Sequence, residues 1–227
     1  MLRVIDFLRR LDANNNREWF AAHKDEYVAV QGYFNAFAGR MIAAIGKFDP
    51  TVASLTVKDC TYRIYRDTRF SADKTPYKTH MGCFVCREGK KSGYSGYYLH
   101  VGVGGGTEYP VGHMLASGNY CIEPRALQIL REDIVMGGGD FRRTIEAADR
   151  SFYLDKEYSL KRPPKGYDDT TPEIDLVKNK AFCLVSELSD DEMVADTLLD
   201  MAVERFSTTR PFIDYINRAI EYSREEE

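Results

Sequence analysis

Met81-Gly82-Cys83-Phe84-Val85-Cys86-Arg87-Glu88 and Tyr94-Ser95-Gly96-Tyr97-Tyr98-Leu99-His100-Val101-Gly102-Val103 stand on either side of Gly89-Lys90-Lys91-Ser92-Gly93. Both flanking runs are short and rich in Val, Tyr, Phe and Cys, while the linker is made of turn formers. That combination predicts two antiparallel strands joined as a hairpin. Working outward, the same texture places strands near 60–67 and 110–120, separated from the hairpin by further turn formers and by the glycine cluster from Gly102 to Gly106. The strand-rich block therefore covers 58–120.

Helical periodicity surrounds this block. Val4, Phe7, Leu8 and Leu11 share one helix face, and the turn formers from Asp12 to Asn16 stop it. Asn15 with Glu18 reads as a capping box opening a long helix to about Lys47, with Trp19, Phe20, Tyr27, Phe34, Phe37 and Met41 on its apolar stripe. After residue 120, Pro124 opens a helix that Gly137-Gly138-Gly139 closes, and another follows from Asp140 to about Asp149. Lys161-Arg162-Pro163-Pro164-Lys165-Gly166-Tyr167 is a loop, and Ala181 to Ser186 is one more strand. Ser189 with Glu192 caps a helix through Phe206, Thr209-Arg210-Pro211 starts the last one, and the charged terminus Arg224 to Glu227 is expected to fray. The fold class is α+β: an antiparallel or mixed central sheet flanked by helices. It is expected as a single domain over 1–227, with a helical segment at 1–48 and a helical part carrying one further strand at 121–227.

The chain has 227 residues, of which 44% are hydrophobic, enough to bury one large core. A formal net charge of −4 gives no general attraction to nucleic acid or to anionic lipid, so neither is expected as a partner. No apolar run approaches the ~20 residues that span a bilayer. Five scattered cysteines suit reduced thiols, and the expected location is the cytoplasm.

Charge departs from this average in one place. From Lys58 to Lys78 six basic side chains meet three carboxylates. Arg66, at the end of the expected 60–67 strand and on its apolar side, needs its donors satisfied, by Asp67, Asp73 or Glu18 or by an anion from outside. Arg66, Arg69, Lys74, Tyr77 and Lys78 project from one tight loop, ordered by Asp67 and Asp73, and supply the forks and point charges that hold phosphate or carboxylate. With His100 nearby, these residues form the candidate site for a small anionic ligand. The alternative is an interaction or structural module whose loop charges form an internal ion-pair network.

Around this loop the chain resembles the bacterial and fungal proteins of domain of unknown function 2461. The resemblance rests on Asn16-Arg17-Glu18-Trp19-Phe20, on the run from Tyr65 to Lys78, on Gly96-Tyr97-Tyr98-Leu99-His100, on Leu127, Leu130 and Arg131, and on the 161–167 loop. It extends over almost the entire chain, and the family's name assigns no reaction.

Other motifs carry less. His80, His100 and Asp67 suggest a metal-dependent hydrolase, although no standard ligand spacing links the four histidines. Cys83 and Cys86 would point to opposite faces of a strand, which suits core packing better than chelation. Gly102 to Thr107 could cradle a phosphate but lacks the lysine of a P-loop. Tyr77, His80 or His100 could transfer protons, yet no triad or paired carboxylate selects a catalytic residue. No motif sets a cofactor or an oligomeric state.

Overall fold

The computed structural model describes residues 1–103 and 112–225. Helices α1 (Leu2–Ala13), α2 (Arg17–Ala22) and α3 (Lys24–Phe48) come first. The long helix expected from residue 15 is interrupted at His23, and its cap is Asn16, whose side chain accepts from the Trp19 amide. Asn15 does other work: its side chain bonds both the carbonyl and the amide of Tyr77, tying the α1–α2 turn to the charged loop. After a 3-10 turn at Pro50–Val52 comes the short α4 (Val57–Cys60).

The strand expected at 60–67 does not form. Thr56 with Asp59 makes a capping box for α4, so the chain leaves Cys60 from a helix, and only Thr61 and Tyr65 make isolated bridges, to Cys83 and Tyr77. The 64–78 segment folds back on itself instead: the Arg66 amide donates to the Pro76 carbonyl and the Lys78 amide to that of Ile64.

The expected hairpin is present as β1 (His80–Cys86) and β2 (Gly96–Gly102), paired antiparallel. Next come β3 (His113–Asn119), α5 (Pro124–Met136), α6 (Asp140–Glu146), the two-residue β4 (Tyr153–Leu154), α7 (Ile174–Val177) and β5 (Phe182–Leu188). Residues 110 and 111 of the strand expected at 110–120 and residues 104–107 of the glycine-rich turn lie outside the described residues. Neither β4 nor α7 was expected; each is too short for its periodicity to register. The helix expected from Ser189 to Phe206 is two helices, α8 (Asp190–Val194) and α9 (Leu198–Thr208). The last, α10 (Arg210–Glu225), stays helical where fraying was expected, because Arg224 bonds the Ser92 carbonyl and lies over the Tyr94 ring; residues 226 and 227 are outside the described residues.

All pairings are antiparallel and the strand order is β1-β2-β3-β5-β4. One face of the sheet, with Cys83, Tyr97, Leu99, Val101 and Leu115, packs against α1, α3 and α9. Toward the other end, Phe182 and Leu184 meet α5, α6 and α10. The opposite face carries a much smaller apolar cluster of Met114, Ala116 and Val185. No described helix is long and apolar enough to cross a membrane.

Candidate functional site

The charged loop satisfies much of its own charge. Arg66 Nη1 lies 2.7 Å from Asp73 Oδ2 and 3.0 Å from the Thr75 carbonyl, and the Arg66 side chain is only 10% exposed. Asp73 also accepts from the amide and hydroxyl of Thr75, and these bonds hold its carboxyl below the usual range. Arg69 grips Asp67 through Nε at 2.9 Å and Nη2 at 2.6 Å, which brings the Asp67 pKa down to about 2. Lys74 Nζ bonds the Thr68 carbonyl at 2.8 Å. Tyr77 is buried and stacked on Phe20 with ring centroids 3.9 Å apart.

Lys78 and His100 are placed differently. Strand alternation sends His80, Gly82 and Phe84 of β1 and Gly96, Tyr98, His100 and Gly102 of β2 to the face away from the helices. Met114, Ala116 and Gly118 of β3 and Cys183 and Val185 of β5 continue that face. Small residues at alternate positions leave it concave. Tyr98 lies over Gly82, where a Cβ would stand 2.5 Å from the tyrosine oxygen, and His100 lies against Gly102, where a Cβ would stand 2.5 Å from Nε2. The result is a hollow of about 350 Å³, floored by the strands and bordered by Tyr62, Lys78, Tyr120, Asp155 and Tyr158. Its volume is at the small end of the roughly 300–1,000 Å³ of ligand pockets.

Within the hollow, Tyr98 Oη and His100 Nδ1 are 2.9 Å apart, and the His80 and His100 rings stack at 4.7 Å. Burial, then the neighbouring His80 and His113, push the His100 pKa down to about 3, so this imidazole is neutral at physiological pH. Burial pushes the Tyr98 phenol up and keeps it protonated. His100 Nε2 is buried and has no hydrogen-bond partner among the described residues. Lys78 Nζ, at the rim, sits 5.5 Å from the centroid of the Tyr62 ring; Lys90 Nζ, 5.8 Å from the same ring, donates to the Lys58 carbonyl and does not line the hollow. Cys183 is half-buried in the wall and its thiol is pushed up to about 12 by desolvation, so it is a packing group, not a nucleophile.

Of the residues singled out in the sequence, the structure brings Lys78 and His100 to the hollow together with His80. It sets Arg66, Asp67, Arg69, Asp73 and Lys74 in the loop tip and Tyr77 in the core. The tyrosines at 62, 98, 120 and 158 were not foreseen as site residues. A signal for one of them exists: Gly96-x-Tyr98-x-His100-x-Gly102 alternates small and polar aromatic residues on one face of a strand. Asp67 is held by Arg69, away from His80 and His100, and among the described residues no group of three or more His, Cys, Asp or Glu side chains gathers to hold a metal ion.

No curated protein and no solved structure matches the chain. One family does, over residues 3–215, and it includes the loop, the hairpin and every strand just described. The chain belongs to the family of conserved hypothetical proteins known as DUF2461.

Proposed function

We propose that the protein binds a small ligand with an apolar ring and an anionic group in the hollow on the open face of the sheet. The observation that carries this reading is the joining, in one 350 Å³ concavity, of tyrosine walls and an apolar strand floor with Lys78 at the rim. Aromatic walls favour a flat apolar body, and an ammonium beside a low-dielectric surface favours a phosphate or carboxylate. On this reading the 66–75 tip is a structural clasp: Arg66 and Arg69 spend hydrogen bonds on Asp73 and Asp67, and Asn15 anchors the base of the loop.

Thermal unfolding with phenyl phosphate, benzoate and inorganic phosphate tests this. Phenyl phosphate and benzoate should raise the melting temperature of the wild type, inorganic phosphate should do so much less, and Lys78→Ala or Tyr98→Ala should abolish the rise. A rise that survives Lys78→Ala and Tyr98→Ala but disappears in Arg66→Ala or Lys74→Ala would move the ligand to the loop tip. No rise with either aromatic acid would overturn the reading.

A further inference from the structure

Asp155 is the one carboxylate among the described residues that line the hollow, and a ligand carrying only an anion has nothing to offer it. Its place is set by the sheet. Tyr153 pairs with Val185 and Leu154 with Leu184, and the Asp155 amide carries the ladder one step further by donating to the Cys183 carbonyl at 2.9 Å. Paired residues share a face, so Asp155 lies on the open face with Cys183. The Glu157 amide donates to Asp155 Oδ1 at 2.9 Å, a tight turn that fixes the carboxylate just past the end of β4. Asp155 is partly exposed and Tyr158 next to it is 40% exposed, so a molecule in the hollow can reach both. The negative charge is also felt inside: after burial itself, it is the Asp155 carboxylate that raises the Cys183 thiol in the wall. Asp155 and Lys78 enter the hollow from opposite edges of the sheet. Asp155 follows β4 and Lys78 precedes β1, and these are the two outer strands in the order β1-β2-β3-β5-β4.

From this placement, and resting on the ligand-binding reading above, we infer that the ligand is bipolar: a flat apolar body with a phosphate or carboxylate at one end for Lys78 and an ammonium at the other for Asp155. A hollow edged by one fixed charge of each sign selects for a molecule with the same two signs, because an anion gains beside Lys78 and is repelled beside Asp155. The ligand's direction in the hollow follows from the same pairing. An ammonium brings three donors and a carboxylate accepts at about four positions, so the bond from the Glu157 amide and a bond from the ligand are compatible on one side chain. The tyrosine walls between the two charges then hold the arene.

Calorimetric titration of the full chain with 4-(2-aminoethyl)phenyl phosphate and 4-propylphenyl phosphate tests the inference, since the two match in shape and differ in an ammonium against a methyl group. At low ionic strength the amine should bind about fivefold or more tightly. Asp155→Asn, which keeps an oxygen for the Glu157 amide, should erase that advantage without weakening 4-propylphenyl phosphate. The ¹³C carboxyl resonance of Asp155 in the wild type is a second readout that needs no variant: it should shift with the amine and stay in place with the propyl compound. Equal affinities, an advantage that survives Asp155→Asn, or an unmoved Asp155 resonance would each overturn this inference while leaving the hollow as an anionic-arene site. If wild type binds neither phosphate, the broader reading fails with it.

Discussion

Tyr97 and Tyr98 are neighbours on one strand and live in opposite surroundings. Tyr97 faces the helices, fully buried between Phe48 and Phe206, and its hydroxyl donates to Asp49 at 3.1 Å; Asp49 in turn pairs with Arg210 at 3.0 Å. Every buried polar group in that chain of contacts has an internal partner. Tyr98 faces the hollow, and its histidine partner keeps one nitrogen unmatched. The contacts around Tyr97 are matched, although Ser95 Oγ and the Asn179 side-chain amide are also buried without partners among the described residues. His100 Nε2, like Ser95 Oγ and the Asn179 amide, is buried at some cost in stability.

The largest effect should come from emptying the closed face. Leu99→Ala removes a fully buried side chain from the core between β2 and the first helices, and should lower the unfolding free energy by roughly 3–5 kcal/mol in urea titration. One position away, Tyr98→Phe removes only the bond to His100 and should cost about 1 kcal/mol. Equal losses would mean that the two faces are packed alike.

The second effect is in acid. Because His100 titrates near 3 in the folded chain and near 6.5 when unfolded, the unfolded state takes up a proton that the folded state refuses. The contribution of the neutral ring is complete above pH 6.5 and is lost as the pH falls through the window from 6.5 toward 3, at about 1.4 kcal/mol per pH unit. His113 is shifted in the same direction by burial and adds to the same limb. Between pH 7 and pH 5, His100→Gln should therefore lose about 2 kcal/mol less than the wild type, read from urea midpoints at the two pH values. Parallel losses in the two proteins would remove His100 from the buried, neutral state assigned to it.

The smallest effect separates two arginines of the loop. Arg66 is nearly buried and bonds Asp73 and Thr75, so Arg66→Ala should cost about 1–2 kcal/mol. Arg69 is 77% exposed on its Asp67 pair, and Arg69→Ala should leave the urea midpoint where it was. If the loop is a clasp, neither change moves affinity for an aromatic phosphate by more than a few fold.

The contrast between faces was half legible beforehand. The turn-forming linker between β1 and β2, the Pro124 helix start, the Ser189–Glu192 capping box and, within two residues at its end, the strand expected at 181–186 were all readable, because each depends on neighbours within a few residues. The strand expected at 60–67 was misread for the same reason in reverse. Its alternation of Cys60, Tyr62, Ile64 and Arg66 mimics a strand, but the Thr56–Asp59 box starts a helix turn ahead of it, and the segment finds its partners at Pro76 and Lys78 instead of in the sheet. The candidate site was legible in charge and not in place. Arginines announce themselves in a sequence, whereas a hollow floored by Gly96, Ala116 and Cys183 is visible only when three strands are set side by side.

Composition, periodicity and local turn chemistry by themselves determined an α+β chain with an antiparallel hairpin at its centre and a cluster of cations near residue 70, since those properties follow from side chains interacting over short separations. Tertiary structure decided which cations lie in the loop tip and which border a cavity, and it decided that His100 would be buried with one nitrogen unmet. Those outcomes depend on groups far apart in sequence, Asn15 against Tyr77 and Gly118 against Cys183 among them, and only the packed register of the sheet brings such groups together.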